Sequence, residues 1–129
     1  MIPEFLFNKK LGVCLCALKG DKVLAVARRN SVDQWGLPGG KIEPGESMID
    51  ALVREVQEET RIVLDKNKLR PVFSRVDDSF FVVTYFYQGK IEEKPRQGDA
   101  GPVEWVTWDQ LIIGPFGIYN SRLKARLGL

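Results

Sequence analysis

Three glutamates fall within five residues in the stretch REVQEET, Arg54 to Thr60. On a helix, Glu55, Glu58 and Glu59 are related by i,i+3 and i,i+4 and share one face. Like charges at that spacing cost a helix about a few tenths of a kcal/mol per pair. A hard divalent cation relieves such repulsion, because it takes oxygen ligands, and Mg²⁺ suits a few carboxylates together with substrate phosphates. The plain alternative is a solvated acidic face, which is common on helices. The surroundings favour chemistry. Arg54 precedes Glu58 by four residues and can pair with it and orient it. Glu46 is a further acid at the start of the same segment. Just upstream lies GLPGG, Gly36 to Gly40, whose glycines allow unusual backbone angles and close approach of backbone to a ligand.

The composition excludes several other chemistries. The chain of 129 residues contains no histidine, which rules out Ser-His-Asp and Cys-His nucleophilic sites and every His-containing zinc site. Its two cysteines, Cys14 and Cys16, cannot close a four-ligand zinc site. They are i,i+2 in LGVCLCAL, on one face of a strand, and read as buried core thiols. With 19 basic and 17 acidic residues the net charge is +2, so there is no broad pull toward nucleic acid or membrane. No apolar run approaches the ~20 residues of a membrane span. The opening MIPEFLFNKKLGVC lacks the charged-then-apolar order of a secretory signal. A single domain over residues 1–129 in the cytoplasm is expected.

The acidic face needs elements to position it. Ser47, with Asp50 three residues on, is a capping pair for a helix from about Ser47 to Thr60. Met48, Ala51, Leu52 and Val56 supply its apolar contacts. LGVCLCAL and KVLAVARR, separated by KGD, read as a β-hairpin. NSVDQWGLPGGKIEPGES reads as a long loop, a kind of segment that is often functional. LRPVFSRV and FFVVTYFYQGKI read as strands with DDS turning between them. EEKPRQGDAGP reads as a second irregular loop, followed by a short strand VEWVTW. Asp109 is expected to cap a short helix through QLII, and IYNSRLKARLGL to form the last helix. This order of elements suits a mixed sheet packed by helices, an α+β fold or α/β/α sandwich.

The segment GKIEPGESMIDALVREVQEETRI, residues 40–62, resembles the signature box of the Nudix hydrolases. That pattern is Gly, five residues, Glu, seven residues, Arg-Glu, an aliphatic, any residue, Glu-Glu, any residue, Gly, an aliphatic. Gly40, Glu46, Arg54, Glu55, Val56, Glu58, Glu59 and Ile62 stand at the required spacing, and WGLPGG resembles the family's lead-in. The resemblance implies a Nudix α/β/α sandwich with a mixed β-sheet. It implies Mg²⁺, with Mn²⁺ as a substitute, held by Glu55, Glu58 and Glu59 and the carbonyl of Gly40. Arg54 then orients a glutamate, and Glu46 pairs with Arg54. One position departs: Arg61 stands where the family has a glycine, a usual left-handed helix cap. Arginine in that conformation costs about 1–2 kcal/mol, so the helix is expected to end differently.

The resemblance also implies a reaction. Water attacks phosphorus in a diphosphate linkage while a carboxylate takes its proton. That base is Glu55 or an acid of the second loop. Asp99, five residues before Glu104, has the placement of a loop acid in MutT-like members and is a candidate for catalysis and for the metal. Glu92, Glu93 and Glu104 are weaker candidates. The compact chain resembles the MutT type, which converts nucleoside triphosphates, some oxidised, to monophosphate and pyrophosphate. Arg28 and Arg29, after a strand, are candidate phosphate contacts. Asn120 matches by position the asparagine with which that type recognises a purine, and its amide can both donate and accept; the plain alternative is an N-cap. Phe80, Phe81, Tyr85 and Tyr119 are candidates for stacking on a base, although strand aromatics are mostly core. The expected partner is a small nucleotide, with no membrane or nucleic acid, for a monomer or homodimer. The alternatives are a Nudix hydrolase of another nucleoside diphosphate derivative (ADP-ribose, a nucleotide sugar, a dinucleoside polyphosphate) and a catalytically inactive binding module.

Overall fold

The computed structural model describes residues 10–28, 31–76 and 79–129, with the backbone alone at Arg28, Ser31 and Val32. Strands β1 Lys10–Cys16, β2 Leu18–Lys19, β3 Lys22–Arg28, β4 Ser31–Gly36 and β5 Gly39–Lys41 precede helix α1, Met48–Thr60. After a short 3₁₀ turn come β6 Leu69–Val76, β7 Phe80–Tyr87, β8 Val103–Thr107, α2 Trp108–Ile112 and α3 Gly117–Arg126.

One sheet has the order β5-β1-β7-β6. Within it β1 runs parallel to β7 and antiparallel to β5, so the sheet is mixed. The second sheet centres on β3, which pairs antiparallel with β2, β4 and β8. The side-chain alternation of β1 builds the layers. Val13, Leu15 and Ala17 point to one core, closed by Ala51, Leu52 and Val56 of α1. Cys16 points to another, closed by Trp108, Leu111 and Leu123 of α2 and α3. Full burial of a leucine such as Leu52 contributes about 1.5–3 kcal/mol. With one apolar stripe of α1 so engaged, its acidic stripe is left at the sheet edge. The mixed α+β sandwich expected from the sequence is therefore the fold.

Several local expectations are corrected. The hairpin is only its tip, Leu18–Lys19 against Lys22–Val23. β1 cannot pair with β3, because β5 and β7 already take both of its edges. The long loop contains β4 and β5, whose glycine-rich edge pairing leaves little side-chain signal. The strand begun at Phe80 ends at Tyr87, and the last helix runs over Gly117–Arg126. Asp109 does not cap α2: Thr107 does, in a capping box with Gln110, and Asp109 sits in the first turn. Ser47 caps α1 as expected, accepting from the Asp50 amide at 3.1 Å, whereas the Asp50 carboxylate pairs with Lys66. Of the turn expected at DDS, Asp77 and Asp78 lie outside the described residues.

Candidate active site

Arg54 organises the acidic face. Its Nε and Nη2 donate to the two oxygens of Glu46, at 2.7 and 3.0 Å, a bidentate grip. Its Nη1 donates to Glu55 Oε1 at 2.9 Å and to Glu58 Oε1 at 3.2 Å. Its Nη2 also reaches the Lys41 carbonyl at 3.2 Å, tying the helix to β5. The Glu43 amide donates to Glu46 Oε1 at 3.0 Å, so the acid that holds Arg54 is itself held. Hydrogen bonding by Arg54 keeps the Glu46 carboxyl below its usual range, and the same carboxylates raise the Arg54 pKa. Glu55 behaves oppositely: burial raises its pKa despite Arg54 beside it.

Two glycines of β5 receive the helix side chains. A Cβ on Gly40 would stand 2.5 Å from the Glu55 Cδ, so that carboxylate lies directly on the Gly40 backbone. The Gly39 amide donates to Glu59 Oε1 at 2.9 Å, and a Cβ on Gly39 would meet the Val13 carbonyl at 2.1 Å. The glycines thus let the strand pack between β1 and the acids of α1.

The end of α1 corrects a sequence expectation. The helix does not end differently: Arg61 itself takes the left-handed conformation, φ 65° and ψ 12°, and its amide donates to the Gln57 carbonyl. The last carbonyls of the helix are satisfied by the second loop. The amides of Arg96, Gly98 and Asp99 donate to the carbonyls of Thr60, Glu59 and Glu58, at 3.0, 3.1 and 3.0 Å. A Cβ on Gly98 would lie 1.8 Å from the Glu58 oxygen, so the fit depends on glycine. Asp99 is thereby carried to the end of the helix, where its Oδ1 lies 3.5 Å from Arg61 Nη2.

A cleft of about 1180 Å³ opens beside β5. In register across the sheet run Lys41, Gly12, Val82 and Arg75, all four lining it. A cation thus stands at each end of an apolar row, three strand spacings or roughly 14 Å apart. Arg122 also lines the cleft, and no carboxylate does among the described residues. The far wall is the α2–α3 turn and the start of α3, including Phe116, Tyr119 and Asn120. Tyr119 is fixed by its hydroxyl contact with Thr84 and by an edge-to-face contact with Phe73 at 5.0 Å.

Of the residues singled out by sequence, Glu55, Glu58, Glu59, Arg54, Glu46 and Gly40 are brought together. Asn120 and Phe80 line the cleft, with Lys10 Nζ 5.9 Å from the Phe80 ring centre. Asn120 is 1% exposed, and its Nδ2 has no hydrogen-bond partner among the described residues. It lies within α3, so it is not the N-cap; Phe116 is. Phe81 and Tyr85 pack toward α1 and do not reach the cleft. Glu104 stands exposed on β8, Glu92 pairs with Lys90, and Glu93 is exposed. Arg28 ends β3, but its side chain, and Arg29 altogether, lie outside the described residues. Cys14 is not wholly buried: it lines the cleft, with its sulfur 3.0 Å from Thr84 Oγ1. Sequence reasoning missed Gly98 and Arg75, which stand in no motif, and Lys41, which fills a variable position of the 40–62 segment.

A divalent cation fits the chemistry of these groups. Among the described residues Arg54 is the cation paired with the carboxylates of Glu43, Glu46, Glu55 and Glu58, leaving excess negative charge. Glu55 is held in a partly desolvated place where a cation would favour its charged form. As the side chains stand, no three acid or thiol groups among the described residues converge on one point. Glu55 and Glu58 turn to Arg54, and Glu59 turns to Gly39.

Known proteins resemble this chain in sequence and in fold. The NUDIX domain profile matches residues 8–127. A diphosphoinositol polyphosphate phosphohydrolase 2 from Mus musculus is 39% identical over 71 residues, covering 54% of this chain and 40% of that protein. A Bacillus subtilis (strain 168) protein named for 8-oxo-dGTP diphosphatase activity is 41% identical over 49 residues, covering 38% of this chain and 33% of that one. The crystal structure of a nudix hydrolase family member from Chromobacterium violaceum superposes with a TM-score of 0.74 at 20% identity. It covers 98% of this chain and 80% of that one. The chain spans 33% to 61% of the length of curated relatives it matches.

Proposed function

The chain belongs to the NUDIX domain family, and from that premise we propose that it hydrolyses nucleoside triphosphates, oxidised or otherwise modified ones included, to nucleoside monophosphate and pyrophosphate. The single observation that carries the triphosphate reading is Asn120, whose buried Nδ2 lacks a partner among the described residues and stands in the wall of a cleft that includes Gly39 and Gly40. A buried unpaired donor costs about 1–3 kcal/mol. An acceptor on a nucleobase would satisfy it.

Glu55, Glu58 and Glu59, with the Gly40 carbonyl, would hold Mg²⁺ or, in its place, Mn²⁺, which when bound screens phosphate oxygens and acidifies a water. The chain's own groups do the rest. Glu46 holds the Arg54 guanidinium through two bonds, and Arg54 fixes the angle of Glu55 and Glu58. The Glu55 carboxylate, held against the Gly40 backbone and Arg54, takes the proton of the attacking water. Water attacks phosphorus, the P–O bond between two phosphates breaks, and the leaving phosphate departs as an anion. Asp99, held at the end of the helix, supplies the further carboxylate, as ligand or as second acceptor of the proton. Phe80 and Val82 give the base an apolar floor.

A second reading, hydrolysis of another diphosphate derivative, has its own support. Lys41 and Arg75 bracket the cleft floor with no acid between them, an arrangement that suits a substrate anionic at both ends. The mouse relative is named for diphosphoinositol polyphosphates.

A release assay with Mg²⁺ separates the two. It covers normal, oxidised and methylated nucleoside triphosphates, ADP-ribose, nucleotide sugars, dinucleoside polyphosphates and diphosphoinositol polyphosphates. Pyrophosphate released from a triphosphate supports the first reading. Turnover confined to the linked diphosphates overturns it and removes the role of Asn120.

A further inference from the structure

We propose that Arg61 is a positioning residue that holds the Asp99 carboxylate at the end of the acidic helix. The inference rests on the part given above to Asp99. Two independent features of the structure meet at Arg61. Its backbone has φ 65°, a conformation that disfavours every residue with a Cβ and suits glycine, yet an arginine stands there. Its side chain is directed at Asp99, with Nη2 3.5 Å from Oδ1. Glycine at this position would end the helix with less strain but could not make that contact.

The backbone around the pair is already built. The amides of Arg96, Gly98 and Asp99 sit on the carbonyls of Thr60, Glu59 and Glu58, and Gly98 leaves no room for a side chain against Glu58. The position of the Asp99 Cα is therefore set by main-chain bonds. What they leave free is the direction of the Asp99 side chain, which is 68% exposed. Among the described residues, the Arg61 guanidinium is the cationic group in contact with it. An exposed ion pair contributes little to folding stability, so the strain at Arg61 is not offset there. The return is in orientation, and small misplacements of a reacting group cost large factors in rate.

The test uses the full chain, Mg²⁺ and the best substrate from the release assay. The variants are Arg61→Gly, Arg61→Asn, Arg61→Lys and Asp99→Asn, with Arg61→Gly also made in the Asp99→Asn background. Arg61→Gly relieves the backbone and is expected to raise Tm by about 3–8 °C. It is also expected to lower kcat about tenfold with KM within about twofold. Arg61→Asn tolerates the left-handed conformation without the charge and shares the loss of kcat. Arg61→Lys keeps the charge and retains most of the activity. In the Asp99→Asn background, Arg61→Gly leaves kcat unchanged, because the group it positions is gone.

A loss of kcat from Arg61→Gly that persists undiminished in the Asp99→Asn background overturns the proposal, as does an unchanged kcat in Arg61→Gly when Asp99→Asn is impaired. Full activity in Asp99→Asn itself removes the part given to Asp99, and the Arg61 proposal falls with it.

Discussion

The Glu55 carboxylate occupies the space that a side chain on Gly40 would need: a Cβ there would lie 2.5 to 2.7 Å from its three terminal atoms. Strand β5 and helix α1 therefore meet through a glycine and an acid. Gly40→Ala pushes that carboxylate away from Arg54 without removing any charged group. The expected outcome is a fall in kcat of about 10²-fold, the scale of a displacement near 1 Å, with a folded protein by circular dichroism. Activity within twofold of wild type would show that Glu55 tolerates displacement.

Glu58 shares the Nη1 of Arg54 with Glu55 and is more exposed, with 42% of its side chain accessible against 18%. Glu58→Gln keeps shape and removes charge. It should lower turnover by about 10²–10⁴-fold with Tm near wild type, and chelation by EDTA should abolish wild-type turnover until Mg²⁺ is restored. Retention of full activity in Glu58→Gln would exclude this residue from the site.

Asn120 separates stability from binding. Asn120→Leu removes a buried Nδ2 donor that lacks a partner among the described residues and costs about 1–3 kcal/mol, so Tm should stay level or rise. The same change should raise KM for the nucleotide roughly 5–30-fold, the equivalent of 1–2 kcal/mol. Thermal melts and steady-state kinetics on the one variant check both signs. A drop in Tm with unchanged KM would make the residue structural.

Acid should weaken the Arg54 cluster. The folded pKa of Glu46 is depressed, first by its hydrogen bond to Arg54, and that of Asp50 first by Lys66. A depressed carboxylate contributes stability above its unfolded pKa, about 4.3 for Glu, and loses it as pH falls through the folded value. The Tm of wild type should thus decline below about pH 4.3. The Tm deficit of Glu46→Gln at neutral pH should shrink over the same window. A deficit constant from pH 7 to pH 3 would argue against this linkage.

Much of the site was legible before any fold was known, because its spacing is helical. Glu55, Glu58 and Glu59 share a face through i,i+3 and i,i+4, and Arg54 reaches Glu58 through i,i+4. Ser47 was legible as the N-cap for the same local reason. The two sheets were not, since β1 leaves its apparent hairpin for β5 and β7, and that choice depends on partners distant in the chain. The short strand β5 was hidden because its Gly39 and Gly40 have no side chains to show a period. Arg61 was visible as a departure, but its left-handed backbone was not foreseen. The carbonyls of residues 58 to 60 are taken up by a loop nearly 40 residues further on, and they hold the helix end in its usual form.

By itself, then, the amino-acid order determined the acidic face, its arginine and the general class of fold, since a helix presents residues three and four apart whatever surrounds it. The tertiary structure alone decided that Gly40 receives Glu55, that the loop of Gly98 closes the helix and delivers Asp99 to Arg61, and that Lys41 and Arg75 stand at opposite ends of one row. Those relationships join segments far apart in sequence. They follow from strand register and from close contacts between backbones, and neither leaves a period in the chain.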